Sequence, residues 1–343
     1  MAVLSLRALL VAALAAGASV ASPTRGKCRS KCQSPKQRRA WHTLSDQEKA
    51  DYISAEQCLM AKEGSLGLRG GATMYGELQA CHVLQSEITH FVGAFLPFHR
   101  LMMWAHEELL EKECGWTGGQ PYWAEELDAG NFAQSVVLDP VTGFGGDGDP
   151  LQGGCIQDGP FANHTNQVGI GYELKDECIT RRINETLSLR SSQEHVDACL
   201  ELETWEEAWP CIEGLPHSGG HSGVGGQMAN PISSPGDPLF YLHHTWLDKI
   251  WWDWQVKDLP TRLVEISGEN RQGGNATGDA PCGGQVRFPP RPDDVPEPLV
   301  EGDPGCATTL DHVLHMYGVV RDRTIRDVMD IQGNLLCYDY VDA

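Results

Sequence analysis

The sequence predicts one mostly helical domain with long irregular loops. Three observations carry that prediction. Helix start signals followed by apolar stripes recur along the chain. Gly and Pro concentrate in two separate stretches. No internal repeat or interdomain linker divides the 343 residues.

The first 21 residues read as a secretory signal peptide and not as part of the fold. Arg7 precedes an apolar run of Ala, Leu and Val. Ser19 and Ala21 then occupy the −3 and −1 positions of a cleavage site. The run is short for a membrane span, and no later segment is apolar for long enough to be one. The expected domain is therefore 22–343. A helix is predicted from Leu44 to Lys62, with Ser45 as N-cap and Glu48 completing a capping box. Tyr52, Ile53, Leu59 and Met60 give it an apolar stripe. A second helix is expected from Met74 to Gln85. Pro97 starts a third, which runs to Cys114, because proline is tolerated in a first turn. The stretch 127–159, rich in Gly, Asp and Pro, reads as loop. A helix from Gln193 to Trp209 and another from Leu239 to Val256 follow, the last with Trp246, Ile250, Trp251 and Trp254 on or near one face. From Ser267 to Gly305, 15 of 39 residues are Gly or Pro, so this stretch is expected to wrap the surface, where Cys282 and Cys306 could pin it.

The chain carries 12 cysteines. An even count behind a signal peptide reads as disulfides, and one sequence does not give their pairing. Cys28 and Cys32 could form half of a zinc site, but no matching pair follows. Sequons at Asn163, Asn184 and Asn275 agree with the secretory route. The net charge of −21 repels nucleic acid and anionic lipid, which leaves a small molecule or a protein as substrate.

The chemistry lies in the histidines. His82, His90 and His99 are spaced 8 and 9 residues apart. His217 and His221 form an i, i+4 pair, one turn apart on one helix face, and His244 follows in DPLFYLHHTW. Neutral imidazole suits copper, zinc, nickel and iron. Three imidazoles per metal, with no thiolate or carboxylate in the pattern, fit two equivalent metals facing each other, as a coupled dicopper centre for dioxygen requires. A dizinc hydrolase would bring bridging carboxylates, which the pattern lacks. His42, His106, His164, His195, His312 and His315 lie outside the pattern and read as satisfied or surface residues.

The segment FLPFHRLMMWAHEELLEKECGW, followed by QPYW, resembles the first copper region of tyrosinases and catechol oxidases. HSGGHSGVGGQM, followed by SSPGDPLFYLHHTWLDKIWWDWQ, resembles the second. The chain is most similar to the short secreted fungal members of this polyphenol oxidase family of type 3 dicopper proteins. The likeness runs from about Arg39 to Tyr340. The Tyr338-Asp339-Tyr340 ending resembles the motif that closes the family's core. Three residues follow it, so no C-terminal shielding domain is expected.

The resemblance implies a four-helix bundle enclosing two copper ions, the first held by His82, His90 and His99, the second by His217, His221 and His244. Adjacent helical residues point about 100° apart. His243 is therefore expected to stay off the metal, as a supporting or core residue. Arg100 and Asp248 are expected to orient the helices through buried hydrogen bonds. Phe240 resembles the family's gate residue over the second copper. Gly219, Gly220 and Gly223 are expected to leave an open pocket.

The implied activity is oxidation of phenols, catechols or aminophenols by dioxygen to ortho-quinones. Pigment formation, or tailoring of a secondary metabolite or a peptide tyrosine, would be its setting. Hydroxylation of monophenols is less supported. Where the family has Asn after the first ligand of the second copper, this chain has Ser218, and Glu206, Glu207 and Glu213 compete as the accompanying acid. Two further departures are Ala124-Glu125, where the family reads Asp-Trp after PYW, and Ile88, where fungal members place a thioether-forming Cys. Cys81 is read as a disulfide or a buried thiol. The alternative reading from another class is a copper protein that binds dioxygen without turnover.

Overall fold

Four helices bring together the residues that the histidine pattern singles out. The computed structural model describes residues 32–272, 288–300 and 306–343. The signal segment, Cys28, Cys282 and the sequon at Asn275 lie outside them. Helix α1 spans Asp46–Ala61, α2 Met74–Thr89 and α3 Phe95–Cys114. Then come α4 (Gln193–Leu200), α5 (Trp205–Ile212), α6 (Ser218–Val224) and α7 (Leu239–Val256).

Local signals set several of these ends. Ser45 and Glu48 form the expected reciprocal capping box at α1. Gly115 ends α3 in the left-handed region, φ 76°, which glycine adopts without a Cβ clash. Helix α2 runs one turn beyond the predicted Gln85. Its polar end is self-satisfied: the Ser86 hydroxyl donates to the Val83 carbonyl and the Thr89 hydroxyl to that of Gln85, both at 3.1 Å.

The helix predicted over 193–209 is two helices. Trp254 Nε1 donates to the Leu202 carbonyl at 2.8 Å, and the Trp205 amide donates to Glu265 at 2.8 Å. These tertiary bonds divert backbone groups that a continuous helix would need. The Cys199–Cys211 disulfide spans the break.

Helix α3 packs on α7, α1 and α2, and their buried faces form the core with six fully buried tryptophans: Trp41, Trp123, Trp205, Trp246, Trp251 and Trp254. Strand content is minor. Residues Lys36–Arg38 pair in parallel with Tyr338–Tyr340, and Thr165–Val168 pair antiparallel with Leu174–Cys178. Disulfides Cys32–Cys337, Cys58–Cys114 and Cys155–Cys178 join distant segments, and Cys306 is also disulfide-bonded. Among the described cysteines Cys81 alone is a free thiol, buried in α2. No described helix is long and apolar enough to cross a membrane.

Candidate metal centre

Helix α2 supplies His82, and His90 is its C-cap residue. His99 lies in the second turn of α3, two residues after Pro97. The ligand-type nitrogens of these three rings lie within 4.8 Å of one another. A five-residue π-helical turn, Glu213–His217, joins α5 to α6 and delivers His217, and His221 follows on α6. Such widened turns are common at functional sites. His243 and His244 come from α7. Nitrogens of His217, His221, His243 and His244 again lie within 4.8 Å of one another. The two groups face each other, with the rings of His99 and His244 stacked at 4.1 Å and 11°.

The second ring nitrogen of a ligating histidine is usually hydrogen-bonded, which fixes tautomer and orientation. Five of these rings follow that rule through backbone carbonyls. Nδ1 of His82, His90, His99, His217 and His221 faces the carbonyls of Ile232, Ser86, Phe95, Glu213 and Met228 at 2.5–3.2 Å. That leaves each Nε2 toward the cluster, where the Nε2 atoms of His82 and His99 are 3.4 Å apart and those of His221 and His244 are 3.1 Å apart. Burial, with repulsion among the rings, holds the imidazoles of both groups well below their usual pKa, His90 at about 4. They are neutral at pH 7, the form that ligates a metal. Two groups of buried, neutral, pre-oriented imidazoles therefore fit a pair of borderline or soft metals.

Arg100 and Asp248 meet the expectation placed on them. Asp248 Oδ1 pairs with Arg100 Nε, while Oδ2 accepts from Arg38 and from the hydroxyls of Tyr338 and Tyr340. Arg100 follows His99 on α3, and Asp248 lies one turn beyond His244 on α7. Their bond thus clamps the two helices whose histidines stack.

Phe240 is fully buried, with its ring 4.2 Å from His244 and 5.2 Å from His82. His217 (8 % exposed) and His221 (7 %) are the least buried of these histidines. Gly219, Gly220 and Gly223 do not open a pocket. A Cβ on each would lie 2.3–2.8 Å from neighbouring atoms, so they let α6 pack closely. Helical geometry sends His243 away from His244, yet its ring reaches the second group, 4.6 Å from the ring of His221.

Sequence reasoning missed Phe95, whose ring is 4.6 Å from His217 and 4.9 Å from His99. The signal was available, since Phe95 precedes His99 by four residues just as Phe240 precedes His244. Glu125, noted only as a departure, is buried and pairs with His243 at 2.6 Å. Of the three candidate acids, Glu206 and Glu207 are exposed on α5. Glu213 is buried beside the site, where it accepts the amide of Phe91 at 2.8 Å. Phe91 follows His90 with φ 57°, an uncommon conformation for a bulky residue, which this carboxylate helps to hold. His106 is a core residue, as read, bonded to Gln120 and Glu56 and stacked on Tyr241.

Residues 72–257, which hold every histidine of the two groups, match the common central domain of tyrosinase. The chain belongs to the tyrosinase family. It is 31 % identical over 331 residues to the tyrosinase-like protein phomQ1 of Diaporthe leptostromiformis, covering 90 % of this chain and 78 % of that protein. It is likewise 31 % identical over 321 residues to tyrosinase ustQ of Aspergillus flavus, covering 90 % and 80 %. The fold matches that of a mutant polyphenol oxidase from Thermothelomyces thermophila with a TM-score of 0.73, at 24 % identity and 91 % of each chain. The family is one of copper oxidoreductases, and the two histidine groups are of the kind that holds copper.

Proposed function

We propose that this chain is a secreted dicopper oxidase that uses dioxygen to convert phenols and catechols to ortho-quinones. In this reading His82, His90 and His99 hold the first copper, and His217, His221 and His244 the second. One observation carries it: two buried groups of neutral imidazoles stand face to face, with the His99 and His244 rings 4.1 Å apart. When bound, the copper pair supplies the paired electron transfer that dioxygen reduction needs. Two catechols and one dioxygen give two quinones and two waters.

The protein's own groups do the rest. Phe95 and Phe240 pack against both sets of histidines and keep water out. A substrate hydroxyl would enter beside His217 and His221, the least buried of the rings, and such access would separate an enzyme from a closed dioxygen carrier.

Monophenols need a base to remove their proton. The Ser218 hydroxyl donates to the Gly214 carbonyl at 2.7 Å, and Glu213 is occupied by the Phe91 amide. Both are committed to local structure, which favours diphenol oxidation over monophenol hydroxylation. The disulfides agree with secretion, and Asn163 and Asn184 are exposed as glycan acceptors.

The test is oxygen uptake and quinone absorbance of the copper-loaded protein with 4-methylcatechol and with tyrosol. We expect rapid turnover of the catechol, and loss of both turnover and one copper in His221→Ala. Reversible oxygen binding without quinone would overturn the oxidase reading. Full activity in His221→Ala would overturn the ligand set.

A further inference from the structure

A buried polar network stands behind the metal centre, outside both histidine groups. Tyr52, Glu56, His106, Gln120 and Tyr241 are all fully buried. The Tyr52 hydroxyl donates to Glu56 Oε1 at 2.6 Å, the short length of a bond to a charged carboxylate. Gln120 Nε2 donates to the same hydroxyl at 2.8 Å. His106 joins the two, with Nδ1 2.9 Å from Gln120 Oε1 and Nε2 3.2 Å from Glu56 Oε2. Stability alone does not require such a network, since apolar residues of similar volume often replace a buried ionic pair without loss.

Rings join this network to the histidines. Phe240, packed on His244 and His82, lies 5.4 Å from the ring of Tyr241. Tyr241 is stacked on His106 at 3.7 Å and 11°. Beyond the hydrogen bonds of His106, Tyr52 meets Trp116 at 5.4 Å and Trp41 at 5.7 Å, both edge-on. Trp116, 8 % exposed, is the least buried ring of this line.

Tyrosine and tryptophan are the aromatic side chains that give up an electron most readily, and rings a few ångström apart pass one in short steps. A phenol that loses an electron becomes a strong acid. It therefore holds the resulting radical only where an acceptor already takes its proton. Tyr52 has that acceptor in Glu56, whereas no described residue accepts from the hydroxyl of Tyr241. Burial, then Glu56, pushes the Tyr52 hydroxyl well above its ordinary pKa, so it carries its proton at neutral pH.

We propose that Tyr52 is a redox-active tyrosine, with Glu56 as its proton acceptor, that relays oxidising equivalents out of the metal centre when no phenol is bound. This inference rests on the dicopper reading above. The dioxygen-loaded copper pair is the oxidant. In each step it takes one electron from Tyr52 by way of Tyr241 and Phe240, and the phenol proton crosses to Glu56 Oε1. Tyr52 is left as a neutral radical and Glu56 as the acid. A one-electron reductant at the surface, such as ascorbate or a catechol, then returns an electron to Tyr52 through Trp116, and the proton returns from Glu56. The relay spares the ligating imidazoles from oxidation.

The experiment is electron paramagnetic resonance of the copper-loaded full chain, frozen after mixing with hydrogen peroxide in the absence of a phenol. The wild type is expected to give an organic radical whose hyperfine pattern collapses when its tyrosines are ring-deuterated. Tyr52→Phe should lose that signal and keep its turnover of 4-methylcatechol, but lose activity faster than the wild type during exposure to peroxide. Glu56→Gln, which keeps the shape but takes no proton, should lose the signal too. Should Tyr52→Phe fail to fold, Tyr241→Phe carries the test. It removes a hydroxyl with no partner among the described residues, a mild change for the core, and interrupts the line, so the signal should fall. An unchanged signal in either folded variant would overturn the relay. A wild type that makes quinone but no radical would also overturn it and leave the oxidase reading intact, and one that makes neither would overturn both.

Discussion

Asp248→Asn should destabilise the protein by about 3 kcal/mol, the low end for breaking a buried ion pair. Asp248 is 2 % exposed, and its carboxylate serves Arg100, Arg38, Tyr338 and Tyr340. Both tyrosine hydroxyls have their pKa pushed well up, by burial first and by Asp248, so they are donors. The amide keeps the shape but turns an NH2 group toward donors and removes the negative charge. Arg38 then retains Glu107 as a buried partner. Arg100 retains only neutral acceptors, on Gln255, Val328 and Met329, and the face of Trp251 at 3.5 Å. One guanidinium, not two, is left uncompensated, which sets the low end of the range. At this chain length each kcal/mol moves Tm by about 2 °C, so a fall of roughly 6 °C is expected. The assay is urea unfolding of the metal-free protein at constant m, with thermal unfolding alongside. The double variant Arg100→Met, Asp248→Leu removes both charges and should recover more than half of the loss. A loss below about 1 kcal/mol, or a double variant worse than the single, would refute this account of a buried charge clamp.

Three further outcomes are expected. Ser218→Asn should raise the ratio of tyrosol to 4-methylcatechol turnover, because the amide can reach the entry beside His217 while the serine hydroxyl is tied to Gly214; an unchanged ratio would place the base elsewhere. The metal-free protein should lose stability as pH falls from about 6.5 to about 4. His90 titrates near 4 when folded and near 6.5 when unfolded, so the unfolded chain gains the proton first, at a cost on the order of 3 kcal/mol by pH 4. Copper should move that transition to lower pH, and a pH-independent midpoint would count against buried neutral rings. Cys58→Ser with Cys114→Ser opens a loop of 56 residues and should cost about 4 kcal/mol on chain entropy, read by the same urea titration.

Local chemistry made much of the molecule legible. The capping box at Ser45 and the length of α7 follow from short-range rules, and they hold because each signal acts within a few residues. The His217–His221 spacing was visible because two ligands on one helix face recur a turn apart, whereas His82, His90 and His99, spread over two helices and a cap, were visible from residue type and the family likeness. The end of α2 and the break between α4 and α5 were not visible. Ser86 and Thr89 bond within their own turn, and the Leu202 carbonyl goes to Trp254, a residue 52 positions away.

The sequence by itself determined the residue types of the site, its two-group pattern and the family. Only the tertiary structure decided that Phe95 and Phe240 pack against both histidine groups and that Glu125 meets His243. The reason is physical. Periodicity constrains where a side chain leaves its own helix, but contact between residues 118 apart depends on how α6 approaches α7, and Gly220 sets that approach.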